Sequence, residues 1–281
     1  MEPINVFGGT GFVGSAYVRA LEHNYILNDR NDYVPKANNI LYFISTTDNY
    51  NVHTNLHIDI DTNLTVLMNV LENIPVHKRS DYTFNFVSSW FVYGDTDLPA
   101  VETSVCNPKG FYSITKRAAE QLLISYCETF GMKYRILRLA NVAGPGDKNA
   151  SAKKNALAYL IKQLKAGAPI ELYDGGQFIR DYIHIEDCVR AINLVITSGD
   201  VNTIYNIGNG VPILFKDLIY TAKELLNSNS NIISIPQKQF HSVVQVKSMY
   251  MDNTKLLTLG YQQQFNMYDI LISLFRSTPQ P

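Results

Sequence analysis

Short, mainly apolar runs alternate along this chain with longer stretches in which apolar residues recur every three or four positions. The short runs read as buried strands: Ile4–Phe7, Tyr25–Asn28, Ile40–Ile44, Thr83–Val87 and Tyr134–Leu139. Between them the spacing predicts helices over Phe12–His23, over Thr62–Asn73 and over a segment that contains Phe111–Lys116 and runs to Phe130. In the second helix Leu64, Leu67, Met68 and Leu71 share one face, Asp61 is placed to cap it, and Pro75 ends it. Gly131 suits the left-handed residue after the third. Strand-helix alternation of this kind predicts an α/β protein with a parallel sheet. Asn141–Pro145 interrupts the pattern. Beyond it come a helix over Ala152–Ala166, a strand Ile170–Tyr173, a turn at Asp174–Gly176 and a helix over Ile185–Ile196. A strand with a glycine turn, Tyr205–Gly210, and two helices, Phe215–Leu226 and Met267–Phe275, complete a smaller C-terminal region.

The first strand runs directly into Gly8-Gly9-Thr10-Gly11-Phe12-Val13-Gly14, and a helix follows. Strand, glycine turn and helix in that order are the context of a dinucleotide-binding turn. Gly8 permits the tight turn. Gly11 lets main-chain N–H groups reach a pyrophosphate at the helix N-terminus, and Gly14 lets helix and strand pack closely. Asp29 ends the second strand, where a carboxylate would accept from adenosine ribose hydroxyls; this favours NAD. Arg30 beside it keeps NADP open, since a guanidinium suits a 2′-phosphate. Only the loop 31–39 separates the second strand from the next, too short for the helix and strand a full doubly wound half carries. An abbreviated adenine pocket walled by Tyr33, Val34 and Pro35 is expected. The fold class is thus a Rossmann-like doubly wound parallel sheet, shortened between the second and following strand, with a smaller C-terminal α/β substrate lobe. The expected division is 1–143 plus about 181–207 for the nucleotide and 144–180 plus 208–281 for the substrate lobe.

Tyr112 and Lys116 are four apart, so on a helix they share one face. An ammonium beside a phenol favours the phenolate, and a tyrosine so tuned can take a proton from an alcohol or return one to a carbonyl. Ser88 and Ser89 end one strand, and Thr46 and Thr47 follow another, at the carboxyl ends where ligands bind in such sheets. Composition narrows the function further. With 46% hydrophobic and 17% charged residues this is a globular chain. A net charge of −1 without a basic block gives no reason to expect nucleic acid or an anionic membrane as partner. Cys106, Cys127 and Cys188 lie far apart, so neither a disulfide framework nor a metal site is expected. Nothing in the sequence reads as a signal peptide or a bilayer-spanning run, and a reducing cytoplasm is the expected location.

Six segments in order carry a resemblance: GGTGFVG, VSSWFVYG, FYSITK, RLANVAGPGD, IRDYIHIEDCVRA and YNIGNG. From Gly8 to about Gly260 the chain resembles the extended short-chain dehydrogenase/reductases, in their NAD-dependent nucleotide-sugar epimerase/dehydratase branch. The resemblance implies that Tyr112 is the catalytic base, that Lys116 holds the nicotinamide ribose and lowers the tyrosine pKa, and that Ser89 completes the triad. It implies cofactor contacts at Gly8, Gly11, Phe12, Val13, Gly14, Asp29, Arg30, Thr46 and Lys116, with NAD as the cofactor. Asn141 and Asn155 match residues that contact the sugar nucleotide, Arg180 matches an arginine that pairs with a phosphate, and Tyr173 lies where the nucleoside base packs. Ser89, Trp90 and Tyr112 would border the sugar. A nucleotide diphosphate sugar is the implied partner, and a homodimer through the helices containing Leu67 and Leu123 the implied assembly. Family 4,6-dehydratases and decarboxylases place acidic residues just after the triad hydroxyl, where this chain has Trp90 and Phe91. Enzymes that epimerise C3 and C5 place a cysteine where Phe91 stands. A C4 epimerase acting through a 4-keto sugar is the leading expectation. A 4-ketoreductase of a nucleotide-linked deoxysugar is the alternative. A non-catalytic dinucleotide sensor is the rival from another class, disfavoured because Tyr112 and Lys116 are both retained.

Overall fold

Six apolar runs pair side by side because each can bury both faces only inside a sheet covered on two sides. In the computed structural model, which describes residues 3–21, 24–47, 49–147, 151 and 154–277, β1 (Ile4–Phe7) leads through its glycine turn into α1 (Phe12–Ala20). The edge strand β2 (Tyr25–Leu27) follows, and then β3 (Asn39–Tyr42), β4 (Thr83–Ser89) and β5 (Lys133–Leu139). With β10 (Thr203–Ile207) these form one parallel sheet in the order β10-β5-β4-β3-β1-β2. The expected shortening is present: the chain passes from β2 to β3 without an intervening helix or strand. The expected ends of the first helix at His23 and of a later one at Ala152 lie outside the described residues.

The helix expected over 62–73 is a three-part rod: α2 (Ile58–Ile60), a π-helical stretch Asp61–Thr65 and α3 (Val66–Glu72). Asp61 therefore sits inside the rod and is not its cap. Inside the π-helical stretch Asn63 turns inward. Its Oδ1 accepts from the Thr46 N–H at 3.0 Å, and its Nδ2 donates to the hydroxyls of Thr46 and Thr115, each at 2.9 Å. Such single-turn widenings accompany functional sites in many helices. Thr115 belongs to α4 (Gly110–Phe130), which ends at a left-handed Gly131, φ 67°.

α4 is also held to the sheet from below. Glu120 is fully buried and accepts from Arg138 on β5 through both carboxylate oxygens, at 3.0 and 2.8 Å. Arg117 adds a third bond at 2.7 Å. Burial pushes the Glu120 carboxyl up, but Arg138 outweighs it and holds the carboxyl below its usual range. Arg138 also lies 4.6 Å from the Tyr93 ring centroid, and Tyr93 donates to Asn206 on β10 at 2.6 Å.

Beyond β5, Asn141–Ala143 is not a simple break but a short strand, β6, parallel to β9 (Tyr182–His184). A third apolar cluster fills the C-terminal lobe. It is built from α5 (Ala156–Lys165), β7 (Ile170–Tyr173), β8 (Ile179–Arg180), β11 (Ile213–Leu214), α7 (Phe215–Leu225), β12 (Ile232–Ile235) and α10 (Met267–Ser277). α6 (Ile185–Ser198) packs against α1 and the main sheet. The strand β12 and two short helices, α8 (Gln239–Val244) and α9 (Thr254–Thr258), were not expected from the sequence. Among the described residues no helix is long and apolar enough to cross a membrane, and no cluster of His, Cys, Asp or Glu could hold a metal.

The Glu120–Arg138 pair yields a test. Glu120→Gln leaves the Arg138 guanidinium buried without its counter-charge, and urea unfolding should show a loss of about 3–5 kcal/mol. A loss under about 1 kcal/mol would remove the pair from this structural role.

Candidate active site

A cleft of about 1130 Å³ opens at the carboxyl ends of β1, β3, β4 and β5, between the main sheet and the C-terminal lobe. Gly8, Gly11, Phe12, Val13, Gly14, Thr46, Ser89, Trp90, Tyr112, Lys116, Asn141, Asn155, Tyr173 and Arg180 all line it. Of the site residues expected from sequence, only Asp29 and Arg30 stay outside its lining. Both are exposed past the end of β2.

The glycine turn has the geometry its spacing predicts. Gly8 takes φ +78°, and the Gly11 N–H donates to the Gly8 carbonyl at 3.2 Å. A Cβ added at Gly14 would come within 2.4 Å of the Gly8 carbonyl oxygen, so only glycine lets α1 sit this close. At Gly11 an added Cβ would touch only the Gly8 carbonyl oxygen, at an ordinary 3.5 Å, and the residue faces the cleft at the α1 N-terminus. An open, positively polarised helix end of this kind fits a pyrophosphate. The abbreviated crossover is tied down by asparagines. Asn5 donates to the Asn28 side chain and accepts from the Lys36 N–H, and Asn28 donates to the carbonyls of Asp32 and Val34. Tyr33 packs on the apolar cluster under the sheet and Val34 is exposed; neither they nor Pro35 line the cleft.

The reactive end is built by β4 and α4. Ser89, at the tip of β4, accepts from the Phe91 N–H at 3.3 Å, which uses an oxygen lone pair and not the O–H. Tyr112 is buried and meets the Phe91 ring edge-on, with centroids 5.7 Å apart. Lys116 is only 2% exposed, with its ammonium 4.3 Å from the Phe86 ring centroid. Burial lowers its pKa to about 7, and the charge of Glu120 one turn away opposes that shift only in part.

On the lobe side Asn141 donates to the Asp181 carbonyl at 2.9 Å. Asn155 is left-handed at φ 55°; it caps α5 and donates to Asp147 at 2.8 Å. The Arg180 guanidinium donates to the carbonyls of Ile179, Lys247 and Val246 at 2.8, 2.7 and 3.0 Å. Burial lowers the Arg180 pKa to about 10, still well above neutrality. Tyr173 lies 4.8 Å from the His241 ring.

Sequence reasoning missed one group entirely. A 3-10 turn, Asn49–His53, reaches across the cleft to α8. Tyr50 and His241 share a 2.6 Å hydrogen bond, Asn49 donates to the Val244 carbonyl at 3.1 Å, and the rings of His53 and Phe240 lie 4.3 Å apart. Burial and the nearby Arg180 charge hold His241 below its usual pKa. No local signal could pair residues nearly two hundred positions apart. Asn63 and Thr115 were missed as well, although an asparagine in a helix interior is an available cue.

Residues 53–208 match the family described as "NAD dependent epimerase/dehydratase family". The chain is 29% identical to a dTDP-glucose 4,6-dehydratase of Haemophilus influenzae, covering 74% of this chain and 75% of that protein. It is 27% identical to a putative UDP-glucose 4-epimerase of Methanocaldococcus jannaschii, over 94% of each. The fold resembles that of a UDP-glucose 4-epimerase from Thermotoga maritima solved with UDP-glucose. The TM-score is 0.85, at 21% identity, over 98% of each chain. Together with the glycine turn and the Ser89, Tyr112 and Lys116 cleft, the match identifies this chain as a member of the NAD-dependent epimerase/dehydratase family of extended short-chain dehydrogenase/reductase enzymes.

Proposed function

We propose that this protein is a nucleotide-sugar C4 epimerase acting through a 4-keto sugar, with NAD as its cofactor. The observation that carries this reading is the convergence of Ser89, Tyr112 and Lys116 on the cleft that also borders the glycine turn. The glycine turn and the open N-terminus of α1 would hold the cofactor pyrophosphate, and Lys116 the nicotinamide ribose. The nicotinamide ring, when bound, supplies a reversible hydride acceptor for the sugar carbon. Tyr112, as the phenolate, takes the C4 hydroxyl proton to become the phenol and later returns it, with the Ser89 hydroxyl bridging to the sugar oxygen. Lys116 stabilises the phenolate by its charge. Asn141, Asn155, Tyr173 and Arg180 hold the nucleotide diphosphate. In this reading residues 1–143 with about 181–207 bind the cofactor, and 144–180 with 208–281 bind the sugar nucleotide. The protein pairs as a homodimer through the exposed faces of the rod at Asp61–Glu72 and of α4.

Dehydration at C4 and C6 is disfavoured, although the Haemophilus relative bears that name. That chemistry needs an acid to protonate a leaving hydroxyl, and the two side chains after Ser89 are Trp90 and Phe91. A second reading, a 4-ketoreductase of a nucleotide-linked deoxysugar, is favoured by the short β2–β3 crossover. With Asp29, Arg30 and Tyr33 outside the cleft lining, the adenosine half of a cofactor is less enclosed and exchanges more readily. An epimerase needs its cofactor retained between the two hydride transfers; a reductase needs it released.

Incubation with UDP-, GDP-, dTDP- and CDP-sugars, read by NMR, separates the two. Product formed without added reductant supports the epimerase, and dependence on NADPH supports the reductase. Tyr112→Phe should lower turnover by about 10²–10⁴-fold, the usual worth of a positioned acid–base group, while cofactor binding measured by calorimetry stays within a factor of three or so. Activity near wild type would remove Tyr112 from the catalytic role.

Lys116 gives a separate test in the ligand-free protein. Its folded pKa lies below its unfolded value near ~10.4, so between about pH 7 and pH 10 the unfolded state binds the extra proton and stability rises with pH. Relative to Lys116→Met, the wild type should gain about 1.4 kcal/mol per pH unit over that window in urea unfolding. A pH-independent difference would mean that Lys116 is not desolvated.

A further inference from the structure

The wall of the cleft between the reactive end and the lobe is a continuous run of rings and one guanidinium. Tyr112 meets Phe91 edge-on at 5.7 Å, and Phe91 stacks on Trp90 at 3.9 Å with the planes 25° apart. The Arg180 guanidinium lies 5.4 Å from the Trp90 ring and 4.5 Å from Phe178, which in turn stacks on Phe215 at 4.8 Å. All six side chains border the cleft. The rail therefore joins the proposed proton-transfer tyrosine to the proposed diphosphate arginine, and a sugar held between those two points lies along it.

The chemistry of the rail is uneven. At the reactive end the cleft lining includes Ser89 and Asn141, whose side chains carry hydrogen-bonding groups suited to a carbinol. One step along, Phe91 offers no polar atom. Trp90 offers only its indole N–H, in a side chain 4% exposed. The two rings brace each other, and Phe91 is braced by Tyr112 as well, so neither is free to swing aside without losing ring contacts. With the reacting carbinol at Tyr112, a substituent on the neighbouring carbon that faced Phe91, the ring in contact with Tyr112, would meet this stack. A hydroxymethyl group there would give up water for ring faces that accept no ordinary hydrogen bond, whereas a methyl group would be buried favourably.

We propose that the substrate is a nucleotide-linked deoxyhexose, bearing methyl rather than hydroxymethyl on the carbon next to the reacting carbinol, and that Phe91 and Trp90 set this preference. The proposal rests on the reading of the cleft as a nucleotide-sugar site, and it names the sugar class for either direction of the carbinol chemistry.

The test compares UDP-glucose with UDP-6-deoxyglucose, and dTDP-glucose with dTDP-6-deoxyglucose, on the NAD-loaded wild-type protein. Calorimetry gives Kd, and NMR of the products gives kcat/KM. An apolar wall that discriminates by one hydroxyl is worth about 10–100-fold, so the deoxy member of whichever pair binds should be favoured by at least about tenfold. Phe91→Ser should compress that ratio to within roughly threefold, by weakening the deoxy sugar and improving the hydroxylated one. Equal values for the two wild-type substrates, or preference for the hydroxymethyl sugar, overturn the proposal whatever the variant does. A tenfold preference in Kd without turnover of either sugar supports this proposal while overturning the epimerase reading. Absence of binding by all four overturns both.

Discussion

The buried Glu120–Arg138 pair is the constraint on which the reactive geometry depends. A carboxylate and a guanidinium removed from water are costly unless each meets the other with good geometry, and here both oxygens of Glu120 accept from Arg138. The pair joins the middle of α4 to β5. Glu120 is one helical turn past Lys116 and two past Tyr112, so fixing its azimuth fixes theirs. In the strand register Arg138 stands beside Ser88 and Leu139 beside Ser89. One ion pair thus references the helix that carries the proposed base to the very strand ends that carry the hydroxyls. Higher up α4, Thr115 is tied through Asn63 to Thr46 at the end of β3. Two polar anchors about one and a half turns apart leave the helix little freedom to roll.

Much of this was legible in the sequence, for reasons that differ residue by residue. The strands were readable because strands buried on both faces are predominantly apolar runs, even where Asn5 or Arg138 interrupts them. The glycine turn was readable because Gly8 and Gly14 serve backbone demands that favour glycine, a positive φ beside the Ile44 backbone and a 2.4 Å approach. Tyr112 and Lys116 were readable as a pair from their four-residue spacing on a helix, whereas Ser89 joined them only through the family resemblance. The π-helical turn was not readable. An asparagine inside an expected helix was the one cue at Asn63, but its inward turn is dictated by Thr46 and Thr115, which approach only in the folded chain. The same holds for β6, whose partner β9 lies about forty residues on, and for the Tyr50–His241 bridge.

The short crossover shows how the chain compensates for what it lacks. A full doubly wound half would cover the far side of β2 with another strand. Here β2 is a three-residue edge, and short edge strands are one way of avoiding unwanted pairing. Its end is secured by side chains instead of strands: Asn5 reaches outward from β1 to Asn28 and to the Lys36 N–H, while Asn28 gathers the loop carbonyls of Asp32 and Val34. Asn5 and Asn28 are buried amides with their hydrogen-bonding groups engaged, so the loop keeps one shape with little apolar core beneath it. That shape directs Asp29 and Arg30 toward solvent rather than into the cleft.

The charge state of Lys116 follows from the same ion pair. Glu120 is the anion whose charge raises the Lys116 pKa, and an unengaged carboxylate one turn away would keep the ammonium charged. But Glu120 already accepts from Arg138 and Arg117, and those charges offset much of its field at Lys116. Burial against Phe86 then prevails and brings the lysine down to about 7. A lysine so poised regains its proton most readily when a new negative charge appears beside it. On its own helix face the group one turn before it is the Tyr112 phenol. A negative charge on that oxygen and a proton on Lys116 would favour each other by simple Coulomb attraction. The arginine that anchors the helix thus also leaves the lysine free to answer the tyrosine.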